Sequence, residues 1–184
     1  MQSSLDKLFV KTINFLEKQK IPYLIIGGLA VGVLGEPRMT QDIDLIIFIP
    51  KNDLPKLLDK IKKDGFSVNK KIALKDAYQK GTFRMDFEGL WVDLIISSTE
   101  FENSAFKRKI KTELFGKRVY FPSPEDLVLL KVVPGREKDL LDARTIIERH
   151  KGKLDKKYIE SWAQKLSDEA EDLRIWNTTK KLLT

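Results

Sequence analysis

The sequence contains no cysteine and a single histidine, His150. Without thiols there is no disulfide framework, no thiolate-held zinc or iron–sulfur site and no cysteine nucleophile. One histidine removes polyhistidine metal sites and most Ser-His-Asp schemes, and His150 itself reads as a solvated residue at a helix end. Long apolar runs are scarce as well. The longest mostly apolar stretch, residues 21–35, holds four glycines and falls short of the roughly 20 residues that a membrane span needs. The first 20 residues are amphipathic and lack the continuous apolar segment of an export signal, so a cytoplasmic protein with no membrane partner is expected. Gly/Ser linkers, repeats and low-complexity tracts are missing too. Chemistry must therefore come from carboxylates, hydroxyls, lysines, arginines and backbone groups.

What is present is 184 residues, 42% hydrophobic and 33% charged, enough for one domain with a substantial core. Thirty-four Lys and Arg against 27 Asp and Glu give a net charge of +7. That balance fits a polyanionic partner such as a nucleotide or nucleic acid, and equally the Lys- and Glu-rich surface of heat-adapted proteins.

Helical spacing of Leu5, Leu8, Phe9, Ile13 and Leu16, with Ser3 or Ser4 as cap, predicts a first helix. Pro22 stops it, residues 23–26 read as a short buried strand, and Gly27-Gly28 opens a short apolar helix that closes at Gly35. Residues 41–50 are a β-branched strand ended by Pro50, and residues 54–63 a helix capped by Asn52 or Asp53. Strands over 82–87 and 90–96 flank a Glu88-Gly89 turn, and another covers 118–121. Ser123-Pro124 then starts a helical pattern that runs almost to the end, broken at Pro134-Gly135 and Gly152. The expected architecture is an α/β or α+β core over residues 1–121, with a small mixed sheet flanked by helices, and a helical C-terminal subdomain over 122–184 that closes a cleft.

The chemically informative part starts at Gly27-Gly28 and ends in Asp42-Ile43-Asp44 at the head of a strand. Residues two apart on a strand share a face, about 6.6 Å apart along it, so Asp42 and Asp44 project together. Such a pair suits hard divalent cations; otherwise it is a solvated strand end. A strand running into Gly-Gly and a helix start offers backbone N–H groups and a positive dipole end to phosphate, or simply a tight turn. Asp93, inside the apolar strand LWVDLII, needs a partner for its charge and completes a three-carboxylate set. Asp86 competes for that role, with Arg84 placed to pair with it. Arg38 serves either phosphate or a nearby carboxylate, and Thr40 caps the turn before the strand. Arg136, Lys138 and Asp139 read either as an active-site rim or as a helix-surface ion-pair group, and Trp91, Trp162 and Trp176 as packing residues.

Taken together, IIGGLAVGVLGEPRMTQDIDLII and the later block FPSPEDLVLLKVVPGREKDLLDA resemble the nucleotidyltransferase superfamily typified by DNA polymerase β. The likeness is to its small prokaryotic members, the minimal nucleotidyltransferases and AbiEii-type toxin nucleotidyltransferases, and spans about residues 20–145. The resemblance implies a nucleotidyltransferase fold, with Gly27 and Gly28 at the triphosphate and Asp42, Asp44 and Asp93 as metal ligands. It also implies Asp93 as general base and Lys131 as a phosphate contact. Two Mg²⁺ ions, with Mn²⁺ as a substitute, would then support attack of an acceptor hydroxyl on the α-phosphorus of an NTP, with ATP binding as one case. The acceptor is left open between a protein, a tRNA end and a small molecule. A toxin–antitoxin role, with an antitoxin partner or a homo-oligomer, comes from the resemblance alone. Many members have Gly-Ser where this chain has Gly27-Gly28, which keeps a second reading in view: a non-catalytic nucleotide- or RNA-binding module of the same fold.

Overall fold

The computed structural model describes residues 4–184. Helix α1 (Ser4–Lys18) buries Leu8, Phe9, Ile13, Phe15 and Leu16 as the periodicity requires; a cap at Ser3 lies outside the described residues. The chain then lays down β1 (Tyr23–Ile26), α2 (Gly27–Leu34) and β2 (Asp42–Ile47). After a 3₁₀ turn at Lys51–Asp53 come α3 (Leu54–Lys63) and α4 (Lys70–Lys80). The hairpin of β3 (Thr82–Phe87) and β4 (Leu90–Ile96) follows, then α5 (Glu100–Lys107). Glu88 and Gly89 both have positive φ, 54° and 79°, the combination a two-residue type I′ hairpin turn requires.

The main sheet has the order β1-β2-β4-β3, with β2 and β4 parallel and both edges antiparallel. Ile43, Leu45, Val92 and Leu94 join one core cluster with side chains of α1 and α3. On the opposite face Leu24, Ile26 and Ile46 pack against Ala105 of α5, leaving the start of β2 and the middle of β4 uncovered for polar groups. A separate two-stranded sheet of β5 (Ile110–Leu114) and β6 (Lys117–Phe121) leads into α6 (Pro124–Val132), α7 (Glu137–Arg149), α8 (Lys156–Glu169) and α9 (Leu173–Leu183).

Several local expectations are revised. Strand 118–121 is the second arm of a hairpin whose first arm, β5, alternates half-buried Ile110, Thr112 and Leu114 with exposed Lys111 and Glu113 and was not expected. Helix α3 starts without a side-chain cap from Asp53, because the preceding 3₁₀ turn already supplies its first turn. Helix α4, capped by Asn69 and ended by Gly81 in the left-handed region, and α5, with a Thr99/Glu102 capping box, were not anticipated; both sets of end signals stand in the sequence. The C-terminal helices share the main core: Leu127, Val128, Ala143, Ile146, Ile159 and Ala163 belong to the same buried cluster as the strands. No helix among the described residues is long and apolar enough to cross a membrane.

Candidate active site

The sheet register brings the carboxylates together. Asp44 lies directly opposite Asp93 in the parallel β2–β4 pair, and Asp42 opposite Trp91, so all three aspartates share one face. An oxygen from each of Asp42, Asp44 and Asp93 lies within 4.8 Å of the others. Burial, then the charges of Asp42 and Asp93, push the Asp44 carboxyl up to about 6, only partly opposed by Lys131 and Arg136. Three hard oxygen donors in such repulsion make a set that a divalent cation would relieve, so the residues present fit the metal ions the resemblance implies.

The start of α2 adjoins this cluster. A Cβ on Gly27, whose φ is +64°, would fall 1.9 Å from Asp44 Oδ2; only glycine lets the helix come this close to the carboxylate. Ile26 at the N-cap gives the first turn no side-chain acceptor, which leaves its N–H groups for a ligand or water. A Cβ on Gly28 would lie 2.8 Å from both Cβ and Oγ1 of Thr40. The absence of a side chain at position 28 is thus matched by Thr40, whose hydroxyl fills that space and donates to Asp42 Oδ1 at 2.8 Å. Thr40 therefore orients a site carboxylate in addition to bonding the Asp42 carbonyl at 3.3 Å.

Across the cleft, α6 and α7 supply a buried ion network. Lys131 Nζ contacts Asp139 Oδ1 at 2.9 Å and Asp142 Oδ2 at 2.8 Å. Arg38 grips Asp142 with Nε at 2.8 Å and Nη2 at 3.0 Å, and Arg136 holds Asp139. Burial alone would raise the carboxyls of Asp139 and Asp142. The hydrogen bonds from Arg136 and Lys131, and from Arg38 and Lys131, outweigh it and hold both below the usual range. An ammonium has three donors, so these two partners leave Lys131 one for a ligand. The Arg136–Asp139 pair exists, but Asp139 is buried at 3% exposure instead of lying on a helix surface. At the root of α6, Ser123 caps Asp126 N–H at 3.2 Å, and Tyr158 donates to Asp126 Oδ1 at 2.6 Å, which fixes the helix that carries Lys131.

Three further placements differ from expectation. Arg84 pairs with Asp93, not Asp86, because it stands opposite Asp93 in the β3–β4 register. Trp91 is 45% exposed on the carboxylate face and not a packing residue. His150 is half-buried, with Nε2 3.0 Å from the Leu34 carbonyl. Gly27, Gly28, Arg38, Asp42, Asp44, Asp93 and Lys131 all line one cleft of about 590 Å³. Asp142, which no sequence signal singled out, is the hinge of its ion network.

A family model described as "Nucleotidyltransferase of unknown function (DUF6036)" matches residues 4–180. The chain belongs to this family. As a nucleotidyltransferase it is a transferase of nucleotidyl groups. Solved structures share its fold at low identity. An antigenic nucleotidyltransferase-like protein from Paracoccidioides brasiliensis is 19% identical, with a TM-score of 0.52 over 98% of this chain and 94% of that one. The structure described as ANT(2")-Ia in complex with adenylyl-2"-tobramycin is 13% identical, TM-score 0.60, over 91% and 99%. The lincosamide antibiotic adenylyltransferase LnuA, lincomycin-bound, is 14% identical, TM-score 0.53, over 78% and 96%. No curated protein matches the sequence.

Proposed function

We propose that this nucleotidyltransferase moves a nucleoside monophosphate from a Mg²⁺–NTP to the hydroxyl of a small acceptor molecule, releasing pyrophosphate. The observation that carries the reading is the cluster of Asp42, Asp44 and Asp93 facing an uncapped helix start inside one cleft. Mg²⁺ held by the three carboxylates would neutralise the phosphates and stabilise the departing pyrophosphate. Gly27 and Gly28 let the first-turn N–H groups of α2 reach the triphosphate, aided by the helix dipole. Lys131 adds its remaining donor, and Arg38 holds Asp142 so that Lys131 is fixed in place. Asp93 accepts the proton of the attacking hydroxyl, which forms the new P–O bond as the α–β phosphoanhydride breaks.

A cleft of about 590 Å³ is of the size that encloses small ligands. The adenylyltransferase neighbours, one with lincomycin and one with adenylylated tobramycin, support a small hydroxyl-bearing acceptor. A protein or tRNA acceptor would instead agree with the toxin role that the resemblance implies.

The test is to incubate the protein with each labelled NTP, Mg²⁺ and a fractionated cell extract, and to identify the labelled product. Label in the small-molecule fraction supports the proposal; label on RNA or protein redirects the acceptor. Asp93→Asn should keep NTP binding yet lose transfer by at least about 10²-fold, the lower end for a lost general base, whereas Asp86→Asn should change neither. Wild type that binds NTP and labels nothing leaves the non-catalytic module as the reading.

A further inference from the structure

Asp93 is claimed twice. One of its oxygens lies within 4.8 Å of an oxygen of Asp42 and of one of Asp44, and both of its oxygens are also gripped by one guanidinium. Arg84 Nε lies 2.6 Å from Asp93 Oδ1, and Nη2 2.7 Å from Oδ2. That fork takes a lone pair on each oxygen and compensates the carboxylate's charge. Arg84 has no other carboxylate partner among the described residues, so its charge is directed at the site.

The hold also faces water. The Arg84 side chain is 52% exposed, so solvent and salt screen the pair and the guanidinium is free to move off the carboxylate. Its other attachment is the ring of Trp91, whose centroid lies 5.2 Å from the guanidinium carbon. Trp91 stands two residues before Asp93 on the same face and opposite Asp42. A guanidinium resting on an aromatic face keeps that contact when its carboxylate is taken.

Resting on the metal-site reading above, we propose that Arg84 is a positioning residue: a resident counter-ion that shields Asp93 in the nucleotide-free protein and competes with the divalent cation for it. In the empty site it relieves the mutual repulsion of three carboxylates. On loading, Arg84 leaves Asp93 and stays against Trp91, at the open side of the sheet. The structure thereby ties full use of the third carboxylate to the arrival of the cation and its nucleotide, and leaves Asp42 and Asp44 as the pair available first.

The experiment is equilibrium titration of the full chain with Mn²⁺ alone, read by the electron paramagnetic resonance of free Mn²⁺. Wild type, Arg84→Gln, Arg84→Lys and Asp42→Asn are compared at two salt concentrations. Arg84→Gln is expected to bind Mn²⁺ tighter by about threefold at physiological salt and nearer tenfold at low salt. The upper figure is what a unit charge about 6 Å from a dication gives in water. Arg84→Lys, which keeps the charge, should stay near wild type. Arg84→Gln binding equally or more weakly overturns the proposal, as does Arg84→Lys binding as tightly as Arg84→Gln. Those results differ from failure of the metal site itself, in which wild type takes up no Mn²⁺ or Asp42→Asn binds it unchanged.

Discussion

Replacing Asp44 by asparagine removes a charge while keeping the side chain's size, so the metal-free protein should gain stability. In the folded chain the Asp44 carboxyl is pushed up to about 6 from its ordinary 3.8, first by burial and then by Asp42 and Asp93. The folded state therefore holds this proton more tightly than the unfolded state does. Stability is lost as pH rises from about 4 through 6, and the deficit is complete above that. At about 1.4 kcal/mol per pH unit, the roughly two-unit gap corresponds to about 2–3 kcal/mol. Asp44→Asn should recover that amount at pH 7.5 in EDTA and raise Tm by roughly 4–12 °C, given about 2–4 °C per kcal/mol for a chain of this length. At pH 4 the two proteins should melt within about 1–2 °C of each other, because pH 4 lies close to the unfolded-state value of 3.8 and little of the deficit has yet developed. Saturating Mg²⁺ should reverse the order at pH 7.5, since only the wild type retains the full ligand set. Thermal melts by circular dichroism at the two pH values check this. A gain equal at pH 4 and 7.5, or no gain at either, would refute the electrostatic account of the cluster.

Lys131→Met should destabilise the chain by about 2–3 kcal/mol, because Asp139 and Asp142 lose a buried partner while Arg136 and Arg38 still hold one side of each; urea unfolding showing a loss under about 1 kcal/mol would contradict this. Gly28→Ser should cost about 1–3 kcal/mol by crowding Thr40. A Thr40→Gly change in the same chain should recover about 1 kcal/mol or more beyond additivity, and strictly additive losses in a double-mutant cycle would show that the two positions do not share space.

The segment from β1 through α2 to β2 was readable because each step has a local physical cause. Pro22 ends one helix, Gly27-Gly28 permits a turn that other residues cannot make, and β-branched residues follow to Pro50. The alternation in DIDLII placed Asp42 and Asp44 on one face without reference to any other strand. Asp93 was found by its discordance with an apolar strand. The sequence alone pairs Arg84 with Asp86, because both lie on β3 two residues apart; its true partner depends on the cross-strand register with β4, a tertiary property. The same limit hid Asp142, which meets Arg38 across 104 residues. Helices α4 and α5 are hard to read for a different reason. The apolar stripe of α4 is weak, with only Ala73 and Ala77 buried, and α5 is only eight residues long, although Asn69, Gly81 and the Thr99–Glu102 pair mark their ends.

The mutual placement of the aspartates has a consequence for how such a protein can diversify. Asp44 and Asp93 sit on hydrogen-bonded neighbours, β2 and β4, so backbone ladder geometry near 4.8 Å sets their separation. The segment joining them, residues 48–89, builds α3, α4 and the far edge strand. It can lengthen, shorten or change composition at its exposed turns without altering the distance between the two carboxylates. Insertions there are expected to be far better tolerated than single substitutions at Gly27, where a methyl group would fall on Asp44. A lineage could thus remodel what surrounds the reacting groups, and with it the choice of acceptor, while the two ladder-bound carboxylates keep their spacing.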